Sequence, residues 1–489
     1  MSVDLRHGEP GGRHARGPTL VGRATYGLLA LAGAVVGAGV IAYLVTAGAW
    51  YLALGALAVV PGMVLLHHRP MLAVTAWLVV TPLVVVSDSA VARKLYWVVH
   101  RGLPVLAVVM VVLVAKSAAH RRPLPRLGLP EGLMAGYVFA TLVSIVYTST
   151  DVGRNVIQLY DFVVAPMLLY LFLRLLEPDE RQVRGVAGAV VFVLVFQTVV
   201  GMLSWVAPGV LPSEWLGKLG ERTVGSLRSP DVYGTTVLFC GAFLLHMGAS
   251  RRARSITASA LFLFALGLTM AFMTFSRASW IAAAVVLIGA LLTYKGLWSR
   301  LAVMAFPLVL FAAASGFAAQ QVDHARERIE SPVARESALS RLPVVYASVR
   351  MFEAKPLTGW GYGNFDRYDR QFQRPVGNLF YPDKDHASHN VYLTLAAEQG
   401  VVGIVLFLGP AAVLLARTIA RWRRLPGDGV LDRRFVAAMW AVIAAHVVVN
   451  NFSRMQVPFG LGMWWVTLGL IATVVERVPR ADGRPEVAA

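Results

Sequence analysis

The stretch that decides the fold is LTMAFMTFSRASWIAAAVVL, Leu268–Leu287. Here one basic residue, Arg277, interrupts a run of about forty apolar residues, and a bilayer core needs about twenty per helix. The run therefore reads as two membrane helices joined by a tight turn that carries an arginine. Working outward, apolar runs of similar length recur from end to end. The chain has 489 residues, 57% hydrophobic and only 15% charged. Its mean hydropathy is +0.62. Soluble globular proteins do not have this composition. A β-barrel would alternate over short segments, so the fold class is an all-α polytopic membrane protein.

Hydropathy gives about fourteen spans, at 25–47, 48–66, 70–88, 103–118, 129–148, 155–174, 186–206, 230–249, 256–275, 278–294, 301–318, 390–415, 435–452 and 457–475. The first apolar run, from Tyr26, is too long for a signal segment and reads as a retained helix. Cys240 lies inside a span and reads as a small core residue. Net charge is +18. No Arg-rich stretch has interleaved aromatics, so the charge points to topology and anionic lipid rather than nucleic acid. Lys and Arg cluster in alternate loops, and placing both termini inside makes the pattern self-consistent. The expected organisation is a cytoplasmic tail at 1–24, a bundle of about eleven helices at 25–318, a large outer loop at 319–389, C-terminal helices at 390–475 and a cytoplasmic tail at 476–489. The outer loop is too long to be a simple connection. Within it, ALSRLPVVYASVRMFEAKP has apolar residues at helical spacing and reads as an amphipathic helix ending near Pro356. No internal repeat is visible.

Charges at the edge of spans are costly and mark function. Arg277 sits on the outer side and suits an anion, because its planar fork donates in pairs. His389 opens the twelfth span, with Ser388 expected as the N-cap. The first turn of a helix offers free N–H groups to an anion. Asn390, Thr394 and Glu398 follow on one face, which puts Glu398 on a polar stripe facing the bundle interior. Asp383, Asp385, His386 and His389 are metal-ligand types, but their spacing is not that of a helical ligand pair, and solvated loop charge is the default reading. Asp161 lies seven residues after Arg154 on the same face and is expected to pair with it. KPLTGWGYGNF carries Gly359, Gly361 and Gly363, which imply tight turns, and it follows no strand, so it is not a nucleotide fingerprint.

Three stretches in order, TFSRASW, SRLPVVYASVRMFEAKPLTGWGYGNF and HNVYLTLAAEQGVVG, resemble the motifs of the O-antigen ligase and polymerase superfamily of bacterial envelope enzymes. The resemblance covers about residues 220–415. It implies a GT-C-like membrane glycosyltransferase of about 12–14 helices. The donor it implies is an undecaprenyl-diphosphate-linked glycan on the outer face of the cytoplasmic membrane, with no metal, nucleotide or other cofactor. By position Arg277, Arg341 and His389 match the family's two arginines and histidine. Arg228, Arg350, Asn390, Glu398, Gly361 and Gly363 are further candidates for binding diphosphate or glycan. Cations aimed at a departing diphosphate are worth roughly 3–4 kcal/mol per donor group. His389 would act as general base for the acceptor hydroxyl or donate to the diphosphate. The implied partners are the lipid-linked donor, a glycan or lipid acceptor and membrane lipid.

A repeat-unit polymerase is the favoured activity, because no feature suits a lipid A or protein acceptor. A ligase transferring finished glycan is the alternative. A flippase for the same lipids is a second one, but flippases show related halves and short loops.

Overall fold

A computed structural model describes residues 59, 61–87, 89–116, 123–217, 222–250, 254–297, 299–302, 341–374, 388–453 and 457–478. The expected span at 25–47, most of that at 48–66, nearly all of that at 301–318, the N-terminal tail, most of the C-terminal tail and most of the outer loop lie outside the described residues. Chain contacts divide the protein into Met1–Gly62 and Met63–Ala489, and every element below belongs to the second unit.

Every described element is a helix. In chain order these are α1 (Leu72–Val84), α2 (Ala90–Lys116), α3 (Leu129–Thr148), α4 (Val152–Leu176), α5 (Ala187–Val206), α6 (Pro230–Ala249), α7 (Arg254–Phe272), α8 (Arg277–Thr293), α9 (Leu342–Ala354), α10 (Phe365–Phe372), α11 (Val391–Arg421), α12 (Arg433–Asn450) and α13 (Pro458–Val475). Among the described residues nine helices are long and apolar enough to cross a membrane, and α8 is a shorter apolar helix. The expected spans at 129–148 and 230–249 coincide with α3 and α6. α2 starts well before the expected 103, because Ser89 caps it through Ala92 N, and hydropathy is lowered there by Arg93 and Lys94.

Two helices form the centre. The most apolar windows of α6 and α13 are each 94% buried, so the other spans wrap around them. Lipid tails are as apolar as leucine, so helices in a membrane associate through close packing rather than a hydrophobic drive. Glycines supply the closeness. A Cβ on Gly248 of α6 would lie 2.2 Å from Ala260 Cβ of α7, and one on Gly462 of α13 would lie 2.2 Å from the Trp77 ring. Trp77 is fully buried and stacks on Phe459 at 4.8 Å. Trp465 meets Tyr170 and Phe407 edge-on at 6.1 and 6.0 Å.

α2 and α4 each contain a π-helical stretch, at Trp97–Gly102 and Tyr160–Val164. These stretches face each other. Arg101 donates to both carboxylate oxygens of Asp161, at 2.6 and 2.7 Å. The expected partner of Asp161 was Arg154, so that reading is corrected. Seven residues of helix rise about 10 Å, so Arg154 stands two turns away along α4, and the facing Arg101 of α2 reaches the carboxylate instead. Tyr160 also donates to Arg101 O at 2.6 Å. Trp77 Nε1 donates to His100 Nδ1 at 3.2 Å, leaving Nε2 of a neutral imidazole to donate to Asp161 O at 2.9 Å.

Gly462→Val should lower the thermal stability of the purified protein by about 2 kcal/mol or more, because Trp77 has nowhere to move. Thermal unfolding followed by tryptophan fluorescence in detergent checks this, and an unchanged midpoint would contradict the packing described.

Candidate functional site

Arg277 is the first residue of α8, and its side chain is exposed. The turn before it passes through Phe275 at φ +48°, a left-handed conformation uncommon for a non-glycine residue. Thr274 holds this turn by donating to Ala271 O at 2.7 Å and accepting from Ser276 N at 3.2 Å. Ser276 occupies the N-cap position but does not cap the helix with its side chain. Its hydroxyl donates to Asp231 Oδ1 at 2.5 Å instead. The first-turn N–H groups of α8 therefore keep their positive end available beside Arg277, an arrangement that favours an anion.

Asp231 stands in the first turn of α6, after the N-cap Ser229 and Pro230. Arg222 and Arg341 lie close enough to act on its carboxylate electrostatically. Asp231 thus joins the start of α6, the start of α8 and the start of α9, where Arg341 is the N-cap residue. Arg277 and Arg341, far apart in sequence, come to one end of the bundle. Arg228 is exposed at φ +57° just before α6, at the same end. Arg350 is not brought to Arg341. It lies about half a helical turn out of phase with Arg341, and its guanidinium covers the Tyr346 ring at 5.0 Å.

His389 is half-buried at φ +50°, just before α11. The expected cap, Ser388, is corrected to Asn390, whose side chain accepts from Tyr392 N and Leu393 N, both at 3.0 Å. Asn390 is adjacent to the first helical residue, where a short amide reaches the free N–H groups. Ser388 is too far back, and its hydroxyl instead donates to Asn390 O at 2.8 Å and meets Thr394 Oγ1 at 2.5 Å. Asn390 also reaches Asn451 at the end of α12, at 3.4 Å. His389 is therefore held by a stapled helix start rather than by a mobile lip.

The glycine loop and Glu398 have a positioning role. α11 is broken at Gly400, at φ +62° and ψ −159°. The break opens backbone groups on both sides. Ala397 O accepts from Trp360 N at 3.0 Å and Glu398 O from Gly361 N at 2.7 Å. Val401 N donates to Pro356 O at 2.8 Å and Val402 N to Leu357 O at 3.2 Å. The Glu398 side chain accepts from Phe365 N at 3.0 Å. Gly361, at φ +97°, is pressed against α3, where a Cβ would lie 2.0 Å from Thr148 Oγ1. Gly363 packs on Asn155, whose amide donates to Tyr362 O at 3.3 Å. Tyr362 is buried, and burial holds its phenol well above the ordinary value, so it stays neutral. Val344 and Met351 of the expected amphipathic helix form a small core with Phe365 and Ala397, with Trp360 packed beside it.

Asp231 and Ser276 are the site residues that sequence reading passed over. A signal existed: Asp231 is an acid at the outer start of an otherwise apolar helix. Among the described residues no group of three or more His, Cys, Asp or Glu converges on a point that could hold a metal. Asp383, Asp385 and His386 lie outside the described residues.

Residues 262–408 match the family described as O-antigen ligase. That segment, about a third of the chain, holds Arg277, Arg341, His389 and the broken helix start, and it is similar to the O-antigen ligase family. The described residues thus combine nine helices long and apolar enough to cross a membrane with a segment similar to O-antigen ligases. A search of curated proteins finds no match. One chain of a solved structure, described as "Structural coordination of polymerization and crosslinking by a peptidoglycan synthase complex", is 16% identical, with a TM-score of 0.38 over 71% of this chain and 97% of that one. A likeness that loose carries no argument.

Gly361→Ala should undock the loop, since its φ is disfavoured for a side chain by about 1–2 kcal/mol and its Cβ meets α3. Hydrogen exchange should rise across 341–374 while α6 and α13 stay protected, and equal protection in the variant would count against the docking described.

Proposed function

We propose that this chain transfers an undecaprenyl-diphosphate-linked glycan to an acceptor sugar hydroxyl on the outer face of the cytoplasmic membrane, as a polysaccharide repeat-unit polymerase. The observation that carries this reading is that Asp231, acted on by Arg341, accepts from Ser276 at the uncapped helix start that Arg277 opens, with Arg277 and Arg341 both inside the segment that matches the O-antigen ligase family. The acceptor oxygen bonds to the anomeric carbon as the bond from that carbon to the diphosphate oxygen breaks. Negative charge grows on the leaving diphosphate, and Arg277, Arg341 and the α8 N-terminus stabilise it more in the transition state than in the bound donor. The acceptor proton passes to His389, or His389 donates to the diphosphate and the proton leaves to solvent. The bond energy resides in the donor, so the reaction has no need of a nucleotide on that face. Asp231 orders the arginines. The docked loop, with α9 and α10, roofs the chamber between helix starts.

With purified full-length protein and an undecaprenyl-diphosphate oligosaccharide, the wild type should yield longer lipid-linked chains, unaffected by EDTA. Arg277→Ala, Arg341→Ala and His389→Ala should each lower turnover by about 10²–10³-fold with unchanged thermal stability. Asp231→Asn should retain more turnover than Asp231→Ala, because it keeps an acceptor for Ser276. Glycan appearing on a different acceptor makes the chain a ligase. Full turnover in Arg277→Ala would remove the basis of the site.

A further inference from the structure

The opposite end of the bundle carries a separate cleft of about 1060 Å³. It opens where α6 and α8 end and α7 and α12 begin. Its wall is apolar, formed by Leu245, Ala249, Leu261 and Leu292. Its rim is cationic, with Lys295 and Arg300 after α8 and Arg433 and Arg434 at the start of α12. Trp422 also lines it and is 39% exposed. Arg434 is already committed, since its Nε donates to the fully buried Asp432 at 2.7 Å. Lys295, Arg300 and Arg433 have exposed side chains around the same opening.

The floor of the cleft is rigid. His246 accepts from or donates to Tyr294 Oη at 2.8 Å through Nδ1 and bonds Val430 O at 2.7 Å through Nε2. The cleft is thus fixed by a tie between α6, the end of α8 and the segment before α12. Basic residues near the cytoplasmic ends of helices are expected on any membrane protein. Here three of them, from the segment after α8 and the start of α12, ring one apolar-walled hollow, with an aromatic at the rim. A hollow of this size holds a ligand rather than a water or two. The chemistry matches one that is anionic at one end and greasy at the other.

We propose that this cleft binds an anionic phospholipid of the cytoplasmic leaflet. Its headgroup phosphate would sit on Lys295, Arg300 and Arg433, and an acyl chain would follow Leu245, Leu261 and Leu292. The site lies at the other end of α8 from Arg277, so it stands whether or not the transfer reaction is as proposed. The bound lipid would brace the ends of α6, α8 and α12 against one another.

The test uses full-length protein in phosphatidylcholine nanodiscs with or without phosphatidylglycerol, with bound lipid read by native mass spectrometry and stability by thermal unfolding. Phosphatidylglycerol should be retained and raise the unfolding midpoint, and phosphatidylcholine should not. The triple variant Lys295→Gln, Arg300→Gln, Arg433→Gln should weaken retention roughly a hundredfold, while Lys116→Gln with Arg181→Gln, cations outside the cleft, should leave it unchanged. Ala258→Trp, which fills the cleft and keeps its charges, should also displace the lipid. Equal retention of both lipids, an unaffected triple variant, or equal loss in the control pair would each overturn the proposal. Inorganic phosphate giving the same stabilisation without lipid would make this a site for a free anion and overturn it too.

Discussion

The break in α11 at Gly400 is the constraint on which the half of the molecule that carries Arg277 and Arg341 depends. A continuous helix there would consume its own N–H and C=O groups. The left-handed residue frees two carbonyls and two amides, and the Pro356–Gly361 backbone takes all four. In water such an exchange is worth little. At a membrane edge an unpaired backbone group is expensive, so the pairing is obligatory rather than optional. Gly359 sits where a Cβ would lie 2.3 Å from the backbone of Glu398, so the approach is close enough to require glycine on both strands of the contact. The Glu398 carboxylate completes the join from the side.

That join fixes α9, and with it Arg341. The arginine could not be aimed by its own side chain, which has too many rotatable bonds. It is aimed by the helix it caps, which packs Val344 and Met351 against the outer end of α11. Asp231 then supplies the counterweight. A carboxylate among arginines reduces their mutual repulsion while leaving a net positive site. Its bond to Ser276 also removes the hydroxyl that would have capped α8. One contact therefore assembles cations and exposes a helix dipole. A site of this kind favours an anion, whose charge would complete it.

The rest of the bundle is a rigid frame for these parts. α6 and α13 are buried on all faces, and their glycines let neighbours approach to backbone contact. Asp161 and Arg101 tie α4 to α2 near the same end. The opposite end is closed by the His246, Tyr294 and Val430 tie.

The sequence by itself determined the class of fold and most helix limits, and it singled out Arg277, Arg341 and His389 as candidates. Apolar length is a one-dimensional property, and an arginine inside an apolar run is visible without coordinates. The tertiary structure decided everything that depends on what faces what. It gave Asp161 to Arg101 instead of Arg154, because Arg101 faces it from α2 while Arg154 stands two turns away along α4. It gave the cap of α11 to Asn390 instead of Ser388, because Asn390 adjoins the first helical residue and Ser388 lies two residues further back. It turned Gly361, Gly363 and Glu398 from candidate ligands into parts of a joint. It brought Asp231 to Ser276 across 45 residues of sequence, a meeting no local pattern encodes. Hydropathy reports how a residue stands toward lipid, and only packing reports how it stands toward another residue.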